Sequence, residues 1–141
     1  MIKKSHATNA FTLIELLVVV AILGIIGAIG LVSYSGYVTS AKNKSAENVM
    51  QQVSLGQTEF YSGNGTYYSA TGSSCTATTT TSTAIETNLL GGADVITQEL
   101  DFEMCINGHS SNYMVKAKAN KGSCEITMTA HGTFTRTNCE W

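Results

Sequence analysis

Apolar and polar positions divide the chain into stretches with different periods. Residues 1–10 (MIKKSHATNA) form a short mixed head carrying Lys3 and Lys4. From Phe11 to Val32, 17 of 22 residues are apolar, and no formal charge occurs from Leu16 to Ala41. At about 1.5 Å per residue such a run crosses a hydrocarbon core of about 30 Å, so the pattern predicts a membrane helix over 11–33. Over 34–62 the pattern turns amphipathic, with Val38, Ala41, Ala46, Val49, Met50, Val53, Gln57 and Phe60 recurring at spacings of three and four. The chain has no Pro. One helix of about 50 residues is therefore predicted, ending where Gly63-Asn64-Gly65 offers a left-handed cap.

Beyond that point the signals are those of a small head, residues 63–141. Residues 71–87 hold eight Thr with Ser and Gly interspersed, which predicts an irregular surface loop inside a variable segment 63–101. A short helical turn is expected near Ala84–Leu90 or Asp94–Leu100. The period then changes to two: Tyr113, Val115, Ala117 and Ala119 alternate with Met114, Lys116 and Lys118, and Ile126, Met128 and Ala130 with Glu125, Thr127 and Thr129. Turns at Asn120-Lys121-Gly122 and His131-Gly132 make these an antiparallel meander, with a last strand near Thr133–Cys139 and a first over Phe102–Asn107. The expected fold is α+β: a long N-terminal helix whose amphipathic half packs on a sheet of about four strands spanning 102–141.

Composition sharpens this picture in two respects. The formal net charge is -2, and removing Lys3 and Lys4 makes the rest more acidic, which disfavours a protein built to coat nucleic acid. The four cysteines, Cys75, Cys105, Cys124 and Cys139, all follow the apolar run and none lies in a CxxC pair. Disulfides in an oxidising compartment are the expectation, with three connectivities open. If His131 and Gly132 are the two turn residues of a hairpin, Cys124 falls opposite Cys139, which leaves Cys75 for Cys105. A three-residue loop would displace that pair.

Glu15 is the most informative residue. A carboxylate in the first turns of a membrane helix is costly and signals a partner or a function. Its surroundings, Phe11-Thr12-Leu13-Ile14-Glu15-Leu16-Leu17-Val18-Val19-Val20-Ala21-Ile22-Leu23-Gly24-Ile25-Ile26 after a basic leader ending at Ala10, resemble type IV pilins and pseudopilins. The likeness covers about the first 55 residues. A secretory signal peptide would instead be cut after its apolar stretch.

That resemblance implies a sequence of events. A prepilin peptidase would cut between Ala10 and Phe11, and the new amino group of Phe11 would be N-methylated. The precursor would sit in the inner membrane with its head outside the cytoplasm, held by lipid and by a pilus assembly platform, before joining identical subunits in an extracellular helical filament. Glu15 of one subunit would meet the Phe11 amine of another and set the register. A C-terminal cysteine loop, here ending Asn138-Cys139-Glu140-Trp141, belongs to the same likeness. Two departures stand out: Ala10 replaces the usual Gly before the cut, and Val32 stands where the family commonly has Pro. Any local unwinding on assembly is then expected between Gly24 and Gly30.

Other constellations are weaker. His6 lies in the leader, and His109 and His131 in turns without metal-ligand spacing. His109-Ser110-Ser111 has no acid partner or oxyanion hole, so no enzyme is expected. Asp94, Asp101 and Glu103 lack a metal-loop pattern, and no cofactor is expected. Lys116, Lys118 and Lys121 form the only strip on which nucleic-acid binding would rest. The leading expectation is a structural subunit of a type IV pilus serving adhesion, twitching motility or DNA uptake. Alternatives are a minor or competence pilin, a type II secretion pseudopilin, and a singly anchored binding module, which would need neither Glu15 nor a cut before Phe11.

Overall fold

The structure is a computed structural model that describes residues 11–70, 74–109 and 111–139. The expected leader, 1–10, and the last two residues lie outside that set. The element order is α1 (Leu13–Asn64), α2 (Thr79–Leu89), β1 (Phe102–His109), β2 (Asn112–Ala119), β3 (Glu125–Thr129) and β4 (Phe134–Thr137). The fold is α+β. Two compact units divide the chain, Met1–Gly36 and Tyr37–Trp141.

In the first unit none of the described helix side chains is buried. Its large apolar side chains from Phe11 to Ile29 are between 48% and 88% exposed. By length and composition this is a helix able to cross a membrane.

In the second unit the strands pair antiparallel in the order β1-β2-β3-β4. Alternation decides which face is buried. Phe102, Met104, Ile106, Tyr113, Val115, Ala117, Ile126 and Met128 point inward, and Ala46, Val49, Met50 and Val53 of α1 pack into the same cluster. Full burial of each large aliphatic side chain contributes about 1.5–3 kcal/mol, so this contact dominates head stability. Ala41, expected on the buried stripe, is exposed, whereas Asn43 and Glu47 are buried. Polar groups near the core have fixed partners: Gln57, fully buried, accepts from Tyr68 N at 2.8 Å and donates to Tyr68 O at 2.8 Å.

The threonine-rich stretch is not irregular. Thr79–Leu89 forms α2, overlapping the expected loop 71–87 and replacing the shorter turn expected at Ala84–Leu90; residues 94–100 form turns rather than a helix. Local chemistry explains the difference. Thr78 and Thr81 make a reciprocal capping box, and Ser82, Thr83 and Thr87 donate their hydroxyls to carbonyls four residues back. Ile85 and Leu89 then bury the inner side. The same helix closes one edge of the sheet. Met104 N donates to Ser82 Oγ at 2.9 Å, Thr81 Oγ1 donates to Met104 O at 2.7 Å, and Ala70 N donates to Ile106 O at 3.2 Å. Those groups would otherwise template strand addition.

The hairpin register also departs from expectation. Met128 pairs with Phe134 and Glu125 with Thr137, so Ala130-His131-Gly132 is a three-residue loop with Gly132 at φ 77. A regular continuation would set Cys124 opposite Asn138. Instead Asn138 adopts φ 55, ends β4 and turns the chain, so the last strand is shorter than Thr133–Cys139. The disulfide Cys124–Cys139 forms across this corner, with its Cα atoms 4.5 Å apart. Cys75 joins Cys105, Cα atoms 5.9 Å apart, tying the segment before α2 to the outward side of β1. His109, expected in a turn, is the last residue of β1.

Close approach of α1 and α2 centres on Gly56, where a Cβ would meet the backbone carbonyl of Leu89; at Gly63 nothing lies within 4 Å. Gly→Ala in a helix gains up to about 1 kcal/mol where space is open, and overpacking costs about 1–3 kcal/mol where it is not. Gly56→Ala is therefore expected to lower the thermal midpoint of the detergent-solubilised chain by several degrees, and Gly63→Ala to hold or raise it slightly. Equal shifts for the two variants would contradict the contact.

Candidate functional site

The N-terminal end of α1 is built by three residues. Thr12 precedes the first helical residue, Leu13, and Glu15 lies three positions after Thr12. Thr12 N donates to Glu15 Oε2 at 2.9 Å, Thr12 Oγ1 donates to the same oxygen at 2.8 Å, and Glu15 N donates to Thr12 Oγ1 at 3.3 Å. This is a capping box, which satisfies donors that a helix start leaves without partners. The spacing Thr12-x-x-Glu15 is its sequence signature, and sequence reasoning missed it by weighing Glu15 only as a charge. Both bonds from Thr12 fall on Oε2. Phe11 lies just before the cap, largely exposed, so the two residues expected to act in assembly occupy one helix end.

Charges in the head are mostly interleaved. Glu47, 6% exposed, receives Arg136 of β4 at 2.5 Å on Oε1 and Lys44 at 3.1 Å on Oε2. This ties the last strand to α1. Lys42 pairs with Asp101, and that contact, with the nearby Lys121, holds the Asp101 carboxyl below its ordinary 3.8. The hydrogen bond from Lys42 is the larger cause. Lys116 pairs with Glu125 at 3.1 Å, and Lys118 has Glu103 and Glu125 as cross-strand neighbours. The strip over Lys116, Lys118 and Lys121 is thus broken by acids. The acidic trio is also separately engaged: Asp94 accepts from Gln98 and Glu103 from Thr79. Among the described residues no group of three or more His, Cys, Asp or Glu is placed to hold a metal ion.

Residues 6–31 match the family model described as the prokaryotic N-terminal methylation motif. The chain therefore carries the N-terminal signature of a type IV pilin-like or pseudopilin-like prepilin. The motif and the apolar helix together fit a membrane-anchored precursor. No curated protein and no solved structure matches the chain.

Two outcomes follow from this geometry. Glu15→Gln keeps a carbonyl acceptor for Thr12 N, whereas Glu15→Ala removes it. Hydrogen exchange of the Thr12–Leu16 amides in detergent is expected to stay near wild type in the first variant and to quicken in the second. Similar rates in both would remove the cap from the account. For Asp101, a depressed native pKa contributes stability that is present above 3.8, the unfolded value, and lost as pH falls through the native one. Denaturant titrations should therefore find wild type ahead of Asp101→Asn at pH 6, with the gap narrowing below 3.8. A gap independent of pH would contradict the pairing.

Proposed function

We propose that this chain is a structural subunit of a type IV pilus, cut between Ala10 and Phe11, N-methylated at Phe11 and polymerised through α1. What carries the reading is the methylation motif at residues 6–31 placed at the start of a helix whose large apolar side chains from Leu13 to Ile29 are exposed. Lipid covers that surface before assembly and neighbouring helices cover it afterwards. In a low-dielectric filament core, the Phe11 amine of one subunit and the Glu15 carboxylate of another attract strongly when paired and cost much when apart, which selects one stagger. Glu15 would serve both purposes at once: Oε2 holds the Thr12 cap, which leaves Oε1 to receive the amine. Adhesion, twitching motility or DNA uptake would be properties of the fibre, driven by a motor elsewhere. The paired C-terminal cysteines favour a pilin over a secretion pseudopilin.

The test is to shear surface fibres from cells making the chain and determine subunit mass and N-terminus. Chains beginning at N-methylated Phe11 in the fibre fraction are the expected result. Uncut chains confined to the envelope would overturn it, and cut chains found only inside the envelope would point to the pseudopilin reading. Glu15→Gln is expected to insert and be cut normally yet give at least tenfold fewer fibres. Wild-type fibre yield from that variant would defeat the pairing mechanism while leaving the cap intact.

A further inference from the structure

Two adjoining cavities open in the head beside α1, both wholly within Tyr37–Trp141. One, of about 160 Å³, is lined in part by Thr39, Lys42, Asp101 and Lys121. The other, of about 270 Å³, shares Thr39 and Lys121 and adds Ser123 and Asn138. The groups converging there are two ammoniums, two hydroxyls, the carboxamides of Asn43 and Asn138, and one carboxylate. Asp101 is already matched by Lys42, so the lining keeps a formal charge of about +1 in a chain whose net charge is negative. Positive charge ringed by small polar donors is the chemistry that holds a phosphate ester.

We infer that this cleft takes the phosphodiester headgroup of an anionic phospholipid in the bilayer that anchors the chain. Three observations select that occupant. First, Thr39 and Lys42 follow Val32, the last residue of the apolar run, by only seven and ten residues in the sequence. A headgroup layer begins where the hydrocarbon core stops, and lysine stems reach back along the chain toward it. Second, anionic lipid surfaces attract basic segments next to a membrane helix, and the two cavities pair Lys42 of that helix with Lys121 of the β2–β3 turn. Third, a cleft with a net charge near +1 is a weak site for a free ion. Tethering changes this, because an anchored chain meets headgroups at an effective concentration in the millimolar range or above. The head thereby has a resting contact with lipid that is lost when the subunit leaves the membrane. The inference depends on anchoring alone and not on filament formation.

Amine footprinting of the full chain in nanodiscs tests it. Discs of phosphatidylcholine are compared with discs of equal phosphatidylcholine and phosphatidylglycerol, using brief acetylation and peptide mass spectrometry. Lys42 and Lys121 are expected to react severalfold more slowly in the anionic discs, with Lys118, exposed on β2, unchanged. In Lys121→Gln the protection of Lys42 should fall by half or more. Equal rates in the two discs, or slowing shared by Lys118, would overturn the inference. So would equal protection in phosphatidylcholine discs by millimolar inorganic phosphate, since the site would then belong to a soluble ion. None of these outcomes depends on whether fibres form, so failure here and failure of the pilin reading are distinguishable.

Discussion

Everything in this protein depends on an apolar helical surface that stays exposed among the described residues. From Leu13 to Ile29 the large apolar side chains of α1 all stand about half exposed or more. At about 25 cal/mol per Å² of apolar area, leaving such a surface in water is prohibitive for a chain of this size. In the reading proposed above it is satisfied by lipid first and by other helices afterwards. The head is built to leave that surface free: its core draws only on the later part of α1, from Ala46 onward.

That division explains why the head relies on stitching. One helix segment and a four-stranded sheet make a modest core, and the structure adds two disulfides, an ion pair on one buried carboxylate and a side chain that imitates a strand. The Cys124–Cys139 bond and the Glu47–Arg136 contact both act on β4, a strand of four residues that is also the outer edge of the sheet. Removing Arg136 would leave the buried Glu47 carboxylate with Lys44 alone as its charged partner among the described residues, and would free β4 from α1. At the opposite edge Cys75–Cys105, Ala70 and the hydroxyls of Thr81 and Ser82 close off β1. Gln57 holds Tyr68 by two hydrogen bonds, as a neighbouring strand would.

Periodicity made the long helix, the four strands and their order legible in the sequence, because a buried face enforces a period of 3.6 or 2 whatever the details. It failed where hydrogen bonds among short polar side chains decided the matter. The run of threonines looked like a loop on composition, yet Thr78, Thr81 and the back-bonding hydroxyls hold a helix whose burial needs only Ile85 and Leu89. The hairpin failed for a related reason. A turn containing His131-Gly132 is legible, but the sequence does not say that Ala130 joins it, and one residue is enough to change which side chains face each other. The left-handed Asn138 corrects that slip at the corner, a conformation asparagine tolerates better than most residues. Of the candidate site, the apolar run and Glu15 were legible; the capping role of Thr12 and the Lys42–Asp101 contact were not, the latter because its partners are far apart in sequence.

The capping box changes how the membrane charge should be understood. An acid in an apolar helix start is usually weighed as a penalty that some function must offset. Here part of the offset is local, because Thr12 gives Glu15 two donors through one oxygen. A carboxylate held this way is both cheaper to keep in a membrane and fixed in direction, since swinging away would release the Thr12 amide. Fixed direction is what a register device needs: a mobile side chain can meet a neighbouring amine at several staggers, whereas one tied to its own helix end favours few. The proposed pairing with Phe11 therefore draws its selectivity from the cap, and the cap draws its position from Thr12 being the last residue before the helix. Sequence, helix start and the proposed assembly register are then one constraint expressed over five consecutive residues, Phe11 to Glu15.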